Sequence, residues 1–364
     1  MIKLLVVDDS ALMRRLLRET FEAEGDFEVQ IARDAVEALA QVHRFAPQVV
    51  TLDINMPGMD GLDCLSRIMV EAPRPVVMVS SLTREGAETT LEALKLGAVD
   101  FVAKPEGTVS LSIDRIRPML VAKVRAAAGA RLRQSFRLKE RVRHRIGGAQ
   151  GRAAVPAAPR TAAFAPAEPS AAAPIEGLVV IGASTGGPTA LETVLSGLPG
   201  DFPWPVLVAQ HMPSGFTAAF ARRLDAACAL RVVEVASPMP VQPGSVYLGR
   251  GDADLIVGWR GAALVAISAP ASPSYPWHPS VDRLVASART HVEPSRMLGV
   301  LLTGMGRDGA EAMAALREHG GRTIAEDEST AIVWGMPGEL VRVGGAEAVL
   351  PLPAIPATIL RLVR

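Results

Sequence analysis

Ile2-Lys3-Leu4-Leu5-Val6-Val7-Asp8-Asp9-Ser10 decides the fold of the first part of this chain. A near-continuous apolar run of this length is the pattern of a strand buried on both faces of a parallel sheet, here ending in two carboxylates. Ser10 then caps a helical pattern through Leu12, Met13, Leu16, Leu17 and Thr20. The same alternation returns three times. Val49 to Leu52 ends at Asp53, Val76 to Val79 ends at Ser80, and Ala98 to Ala103 ends at Lys104, with helical spacing at Ala35 to Val42 and Glu85 to Leu96. A βαβ series follows, and function is expected at the carboxyl ends of its strands.

Those ends carry Asp8, Asp9, Asp53, Ser80 and Lys104. Three carboxylates on one rim repel each other and call for a divalent cation, with all-oxygen ligands suited to Mg²⁺. Asp53 is a candidate phosphoryl acceptor, Lys104 the nearby cation and Ser80 a hydroxyl donor to a phosphoryl oxygen. Taken singly, an acidic pair after a strand is as readily a helix cap, and Lys104-Pro105 an ordinary extended turn.

Together, Val7-Asp8-Asp9-Ser10, Asp53 to Gly61, Ser80-Ser81 and Lys104-Pro105 resemble the signature positions of the receiver domain of two-component response regulators. That resemblance covers residues 1–122 and implies a flavodoxin-like (βα)5 fold. It implies phosphorylation of Asp53 by a histidine kinase, Mg²⁺ held by Asp8, Asp9 and Asp53, and Ser80 with Phe101 as the switch pair.

The chain has 364 residues, enough for two domains, and its formal net charge of zero hides segregation. Residues 1–122 carry 13 Lys/Arg and 19 Asp/Glu, residues 123–175 carry 11 and 2, and residues 176–364 carry 14 and 17. Residues 123–175 are expected to be a linker: basic from Lys123 through Arg145, then rich in Ala, Pro and Gly to Pro174. The basic run lacks interleaved aromatics and a helix-turn-helix, so no nucleic-acid partner is expected. Cys64 and Cys228 are the only cysteines, which supports neither a disulfide framework nor a cysteine metal site. With no signal-peptide pattern and no apolar run long enough to span a bilayer, a cytoplasmic protein is expected, reaching a membrane only through a partner.

Leu178-Val179-Val180-Ile181 opens a second parallel-sheet pattern over residues 176–364 and runs into Gly182-Ala183-Ser184-Thr185-Gly186-Gly187-Pro188. These glycines make neither the Walker nor the dinucleotide spacing, so a turn exposing Ser184 is favoured over a nucleotide cradle. A serine nucleophile needs a base and the base an orienting acid. His211 follows the strand-like run Pro205 to Ala209, and Asp308 follows Met297 to Leu302, so all three fall on one rim of a doubly wound parallel sheet. His278 and His291 are rival bases, and Asp308 is equally a helix cap at this level.

Ile181 to Gly187, Gln210 to Phe216, Pro279 to Asp282, Leu302 to Gly309 and Gly335 to Pro337 resemble the catalytic domain of the chemotaxis protein-glutamate methylesterases, the CheB family. The resemblance implies Ser184 as nucleophile, His211 as general base and Asp308 as its orienter, with Thr185 and Met305 near the oxyanion. It implies a phosphorylation-activated serine esterase that needs no cofactor for hydrolysis, acting on methylated chemoreceptors and in some relatives deamidating glutamine. The stretch Tyr275-Pro276-Trp277-His278 departs from the family's Asn-Arg-x-Arg. His278, together with Arg250 where proline is usual, is therefore a candidate substrate-binding residue. The alternatives are a non-catalytic signalling adaptor, against which the intact Ser184, His211 and Asp308 set argues, and a methylesterase acting on a non-chemotaxis receptor.

Overall fold

In the computed structural model, the described residues are 1–81, 83–104, 109–132 and 175–363. The chain divides into two compact units, Met1–Ala149 and Gln150–Arg364. The Lys104-Pro105 turn, the basic stretch from Arg133 to Arg145 and the Ala/Pro-rich segment to Pro174 lie outside the described residues.

The first unit builds β1 (Ile2–Val7), α1 (Ala11–Glu22), β2 (Phe27–Ala32), α2 (Ala35–Arg44), β3 (Val49–Asp53), α3 (Gly61–Glu71), β4 (Val76–Ser80), α4 (Arg84–Lys95), β5 (Asp100–Ala103) and α5 (Val109–Ala128). Its sheet order is β2-β1-β3-β4-β5, with every pair parallel. Leu4, Leu5, Val6, Val49 and Val50 are fully buried, each contributing about 1.5–3 kcal/mol relative to exposure, which is why these runs sit at the centre of the sheet. Chain order reverses at β1, so the crevice between the ends of β1 and β3 receives Asp8 and Asp53. Caps set the helix starts: the Ser10 side chain accepts from the Met13 N–H, and Asp34, Asp60 and Thr83 do the same for α2, α3 and α4.

One boundary is corrected. A linker starting at Lys123 is ruled out by α5, which continues to Ala128. Lys123 is buried at 5% exposure, and its ammonium donates to Asp100 Oδ1 at 2.8 Å and to the Phe101 carbonyl at 3.0 Å. Its charge therefore belongs to the first unit's core, where composition had assigned it to a solvated run.

The second unit contains β6 (Leu178–Ala183), α6 (Gly187–Ser196), β7 (Val206–Gln210), α7 (Ser214–Ala227), β8 (Arg231–Val235), β9 (Met239–Pro240), β10 (Ser245–Gly249), β11 (Ala253–Arg260) and β12 (Ala263–Pro270). It continues through α8 (Val281–His291), β13 (Met297–Leu301), α9 (Ala310–Glu318), β14 (Arg322–Glu326), α10 (Met336–Arg342), β15 (Ala348–Leu350) and α11 (Ile355–Leu362). Seven strands form one parallel sheet in the order β15-β14-β13-β6-β7-β10-β8. An antiparallel sheet, β11-β12-β9, accompanies it and was not anticipated from the sequence. From β6 the chain builds outward through β7, then returns to place β13 on the other side of β6. The resulting switch point lies between the ends of β6 and β13.

Candidate active site and phosphoacceptor pocket

Ser184 is the first residue after β6, and its N–H donates to the Thr303 carbonyl across the switch point at 3.0 Å. Gly304 is required beside it: a Cβ at that position would lie 2.8 Å from Ser184 Cβ, closer than real Cβ contacts come. His211 follows β7 and its N–H donates to the Ala183 carbonyl at 3.0 Å, which ties its backbone to the residue before Ser184. Asp308 lies in the Thr303–Gly309 loop, one turn ahead of α9. Ser184, His211 and Asp308 are all buried, at 6, 7 and 6% exposure.

His211 Nε2 and Asp308 Oδ2 are 2.8 Å apart. The carboxylate also accepts from the Val281 N–H at 2.7 Å, the Ser280 hydroxyl at 3.0 Å and the Asp282 N–H at 3.0 Å. Burial opposes its ionised form, yet the His211 contact and these backbone donors hold Asp308 below the ordinary carboxylate value. An acceptor-only group at Nε2 assigns the proton to that nitrogen, leaving Nδ1 as the lone-pair nitrogen. Nδ1 is buried and makes no hydrogen bond.

Of the near-site residues, Thr185 is buried at 1% and its carbonyl accepts from the Thr303 hydroxyl at 2.9 Å, while Met305 follows Gly304 in the same loop. Arg250 is exposed at the end of β10. His278 directs Nδ1 to Asp254 Oδ1 at 2.9 Å, so only its Nε2 is left for a substrate. Asp254 is fully buried and also pairs with Arg283. His291, the other rival base, ends α8, and its backbone carbonyl accepts from the Trp259 indole N–H at 3.2 Å.

Three further residues escaped the sequence reading. Gln210 is buried, and its amide donates to the Ser184 carbonyl at 2.9 Å and the His211 carbonyl at 3.2 Å, tying the two turns together. Ser280 links Asp308 to α8, whose N-terminus it caps. Trp277 stacks on the His211 ring, with centroids 5.6 Å apart and planes 13° from parallel. Gln210 carried a signal by standing next to His211 at a strand end, and Ser280 by lying in the Pro279–Asp282 stretch.

In the first unit, carboxylate oxygens of Asp8, Asp9 and Asp53 lie within 4.8 Å of one another. Lys104 Nζ bridges Asp8 Oδ2 at 3.0 Å and Asp53 Oδ2 at 2.8 Å. Burial raises the Asp53 carboxyl above its ordinary value; Lys104 opposes that and the Asp8 charge adds to it. Burial works to lower the Lys104 ammonium, but Asp53 and Asp8 outweigh it and hold it above its usual value. This clustered, hard-oxygen donor set fits a divalent cation such as Mg²⁺. The expected switch residues are not turned toward this pocket: the Ser80 hydroxyl is aimed at the Ser81 and Gly86 carbonyls, 3.3 Å from each, and Phe101 is buried at 2% exposure under the Lys123 ammonium.

Comparison with known proteins covers both units. Residues 179–359 match the family model for CheB methylesterase, and residues 4–113 that for the response regulator receiver domain. The chain is 59% identical over 360 residues to "Protein-glutamate methylesterase/protein-glutamine glutaminase 2" of Rhodopseudomonas palustris, covering 99% of this chain and 98% of that protein. It is 56% identical over 359 residues to the corresponding protein 3 of Rhodospirillum rubrum, covering 98% and 94%. The crystal structure of the Thermotoga maritima CheB methylesterase catalytic domain is 38% identical with a TM-score of 0.49, covering 51% of this chain and 98% of that one. With such identity along nearly its whole length, the chain belongs to the protein-glutamate methylesterase/protein-glutamine glutaminase family, a response regulator receiver domain preceding a CheB methylesterase domain.

Proposed function

We propose that this chain hydrolyses glutamyl methyl esters on the cytoplasmic part of chemoreceptors, with Ser184 as nucleophile, and that phosphorylation of Asp53 by a histidine kinase raises that activity. The observation that carries the reading is the His211–Asp308 hydrogen bond, which supports Nδ1 as the lone-pair nitrogen of a histidine whose backbone N–H is bonded to the Ala183 carbonyl next to Ser184.

In the acylation step, Nδ1 takes the Ser184 hydroxyl proton as Oγ bonds to the ester carbonyl. Collapse of the tetrahedral intermediate expels methanol, which receives that proton from His211. Water then attacks the acyl-serine, gives its proton to Nδ1 and releases glutamate as Ser184 is reprotonated. Asp308 holds the ring in the productive tautomer and stabilises the imidazolium. Backbone donors of the Thr185 and Met305 turns are the candidates for the oxyanion, where one donor is typically worth about 2.7–4 kcal/mol. A glutamine side-chain amide enters by the same acyl-enzyme route, with ammonia leaving, and the relatives' names carry both activities.

For the input, Asp8, Asp9 and Asp53 would hold Mg²⁺. The ion, when bound, neutralises charge on the incoming phosphoryl group. Asp53 supplies the nucleophilic oxygen, and Lys104 stays within reach of the product.

The test is methanol release from a methylated receptor fragment by the full chain, with and without a small-molecule phosphodonor and Mg²⁺. Ser184→Ala is expected to abolish release while Asp53 still takes up phosphate. Asp53→Asn is expected to leave basal release and remove its stimulation. Hydrolysis surviving in Ser184→Ala, or stimulation surviving in Asp53→Asn, would refute the respective assignment.

A further inference from the structure

Among the described residues, the His211 ring has one hydrogen bond, to Asp308, and its other nitrogen has none. One hydrogen bond does not by itself fix the tilt of the imidazole about the Nε2···O direction, and tilting would turn Nδ1 from its aim. The constraint on that freedom is a ring face. Trp277 lies 5.6 Å from the imidazole, centroid to centroid, at an interplanar angle of 13°.

This indole is itself held. Its neighbour His278 is bonded to the fully buried Asp254 through Nδ1 at 2.9 Å, and the Ser280 N–H donates to the same carboxylate at 2.8 Å. Tyr275 closes the other side with an N–H donated to the Ser272 carbonyl. Beyond the stack, the turn at Gly306 has a left-handed φ of 86°, and a Cβ there would stand 3.8 Å from the indole Nε1.

Resting on the assignment of Ser184 and His211 above, we propose that Trp277 is a positioning residue for the general base: its indole face keeps Nδ1 aimed at Ser184 and favours the imidazolium formed when the serine proton is taken. The second effect follows from the charge on the ring. A neutral imidazole stacks on indole by dispersion alone, whereas an imidazolium adds attraction to the negative face of the indole. The gain is larger in the transition state than in the ground state, so it enters kcat and not KM. The residue lies at the unconstrained position of the segment that departs from the family pattern, between Pro276 and His278.

The experiment compares Trp277→Leu and Trp277→Phe in the full chain with phosphodonor present, following methanol release from a methylated receptor fragment, with Ser184→Ala as control and urea melts for folding. Leucine supplies bulk without a π face. It is expected to lower kcat by roughly threefold to thirtyfold, as loss of one cation–π contact implies, with KM within twofold. Phenylalanine is expected to recover most of the lost kcat. The proton NMR shifts of the His211 ring are expected to lose their indole ring-current displacement in the leucine variant. Full kcat in Trp277→Leu while Ser184→Ala is inactive would overturn this proposal alone; so would no recovery with phenylalanine, or a loss confined to KM. Turnover surviving in Ser184→Ala would overturn the site assignment and this proposal with it.

Discussion

Asp308→Asn is the substitution whose cost the structure defines most closely. The carboxylate accepts four hydrogen bonds, two at each oxygen: His211 Nε2 and the Val281 N–H at Oδ2, the Ser280 hydroxyl and the Asp282 N–H at Oδ1. An asparagine must turn its NH₂ toward one of these pairs. Facing Ser280, it gains an acceptor when the hydroxyl rotates, but the Asp282 N–H then meets a donor. Facing His211, it opposes the Val281 N–H and forces Nε2 to accept, which moves the ring proton to Nδ1 and removes the lone pair that would take the serine proton. Either way one buried N–H is left without an acceptor, at a cost of about 1–3 kcal/mol in stability. The charge that stabilises the imidazolium is lost in both. A histidine with the wrong tautomer costs about 10⁴ in kcat in the serine-protease triad, and correct base placement is worth about 10²–10⁴ in general. Methanol release is therefore expected to fall by at least about a hundredfold, with a urea midpoint lowered to match the stability loss. A kcat within threefold of the parent in a folded variant would show that Asp308 does not orient the base.

Asp282 is pushed up to about 6 by burial and then by the charge of Asp308. Its folded value lies above its unfolded one, so ionisation costs stability as pH rises from 3.8 to about 6. Asp282→Asn keeps an oxygen for the Ala312 N–H at 3.1 Å; it is expected to raise Tm at pH 7.5 and to lose that gain on acidification to pH 4. A gain that grows toward low pH would contradict the cause. Lys123→Met strips the cation from a carboxylate that is itself 95% buried. Breaking one side of such a pair costs about 3–5 kcal/mol, so amide exchange along β4 and β5 in the intact chain is expected to accelerate by about a hundredfold or more, and Asp100→Asn in the same chain to restore much of the protection. Unchanged exchange would return Lys123 to a solvated role.

The parallel sheets were legible because their strands are buried on both faces and read as unbroken apolar runs: Leu4 to Val7 and Leu178 to Ile181 are buried throughout. Their polar termini, Asp8, Asp53 and Ser184, stood out by contrast. The β11-β12 hairpin escaped the same criterion, since Ala253–Arg260 and Ala263–Pro270 alternate between buried and partly exposed residues and carry Gly258 and Trp259. Lys123 was misassigned because composition cannot tell a cation that meets Asp100 inside the fold from one in water. His278 was read from the charge it replaces, while its ring is tied to Asp254 through a pairing made by long-range packing. Trp277 and Ser280 act on His211 and Asp308 from a loop that no local periodicity connects to them.

Asp53 ends and Asp308 follows a strand flanking a switch point, and both are buried, yet their surroundings drive them in opposite directions. Around Asp53 the neighbours are charges: Lys104 pairs with it, Asp8 repels it, and the Asn55 N–H donates to it at 3.3 Å. Burial then prevails and raises the carboxyl. Around Asp308 the neighbours are fixed donors, and the carboxyl is lowered. A carboxylate whose lone pairs are all engaged by the fold is a poor nucleophile and a good anchor. One balanced between an ammonium and a second carboxylate keeps an oxygen that could bond to phosphorus, and its phosphorylation would change the local charge that Lys104 answers. Under the proposed function, the same residue type, placed by the same topological rule, would serve as input in one domain and as a fixed support for the base in the other because of what donates to it.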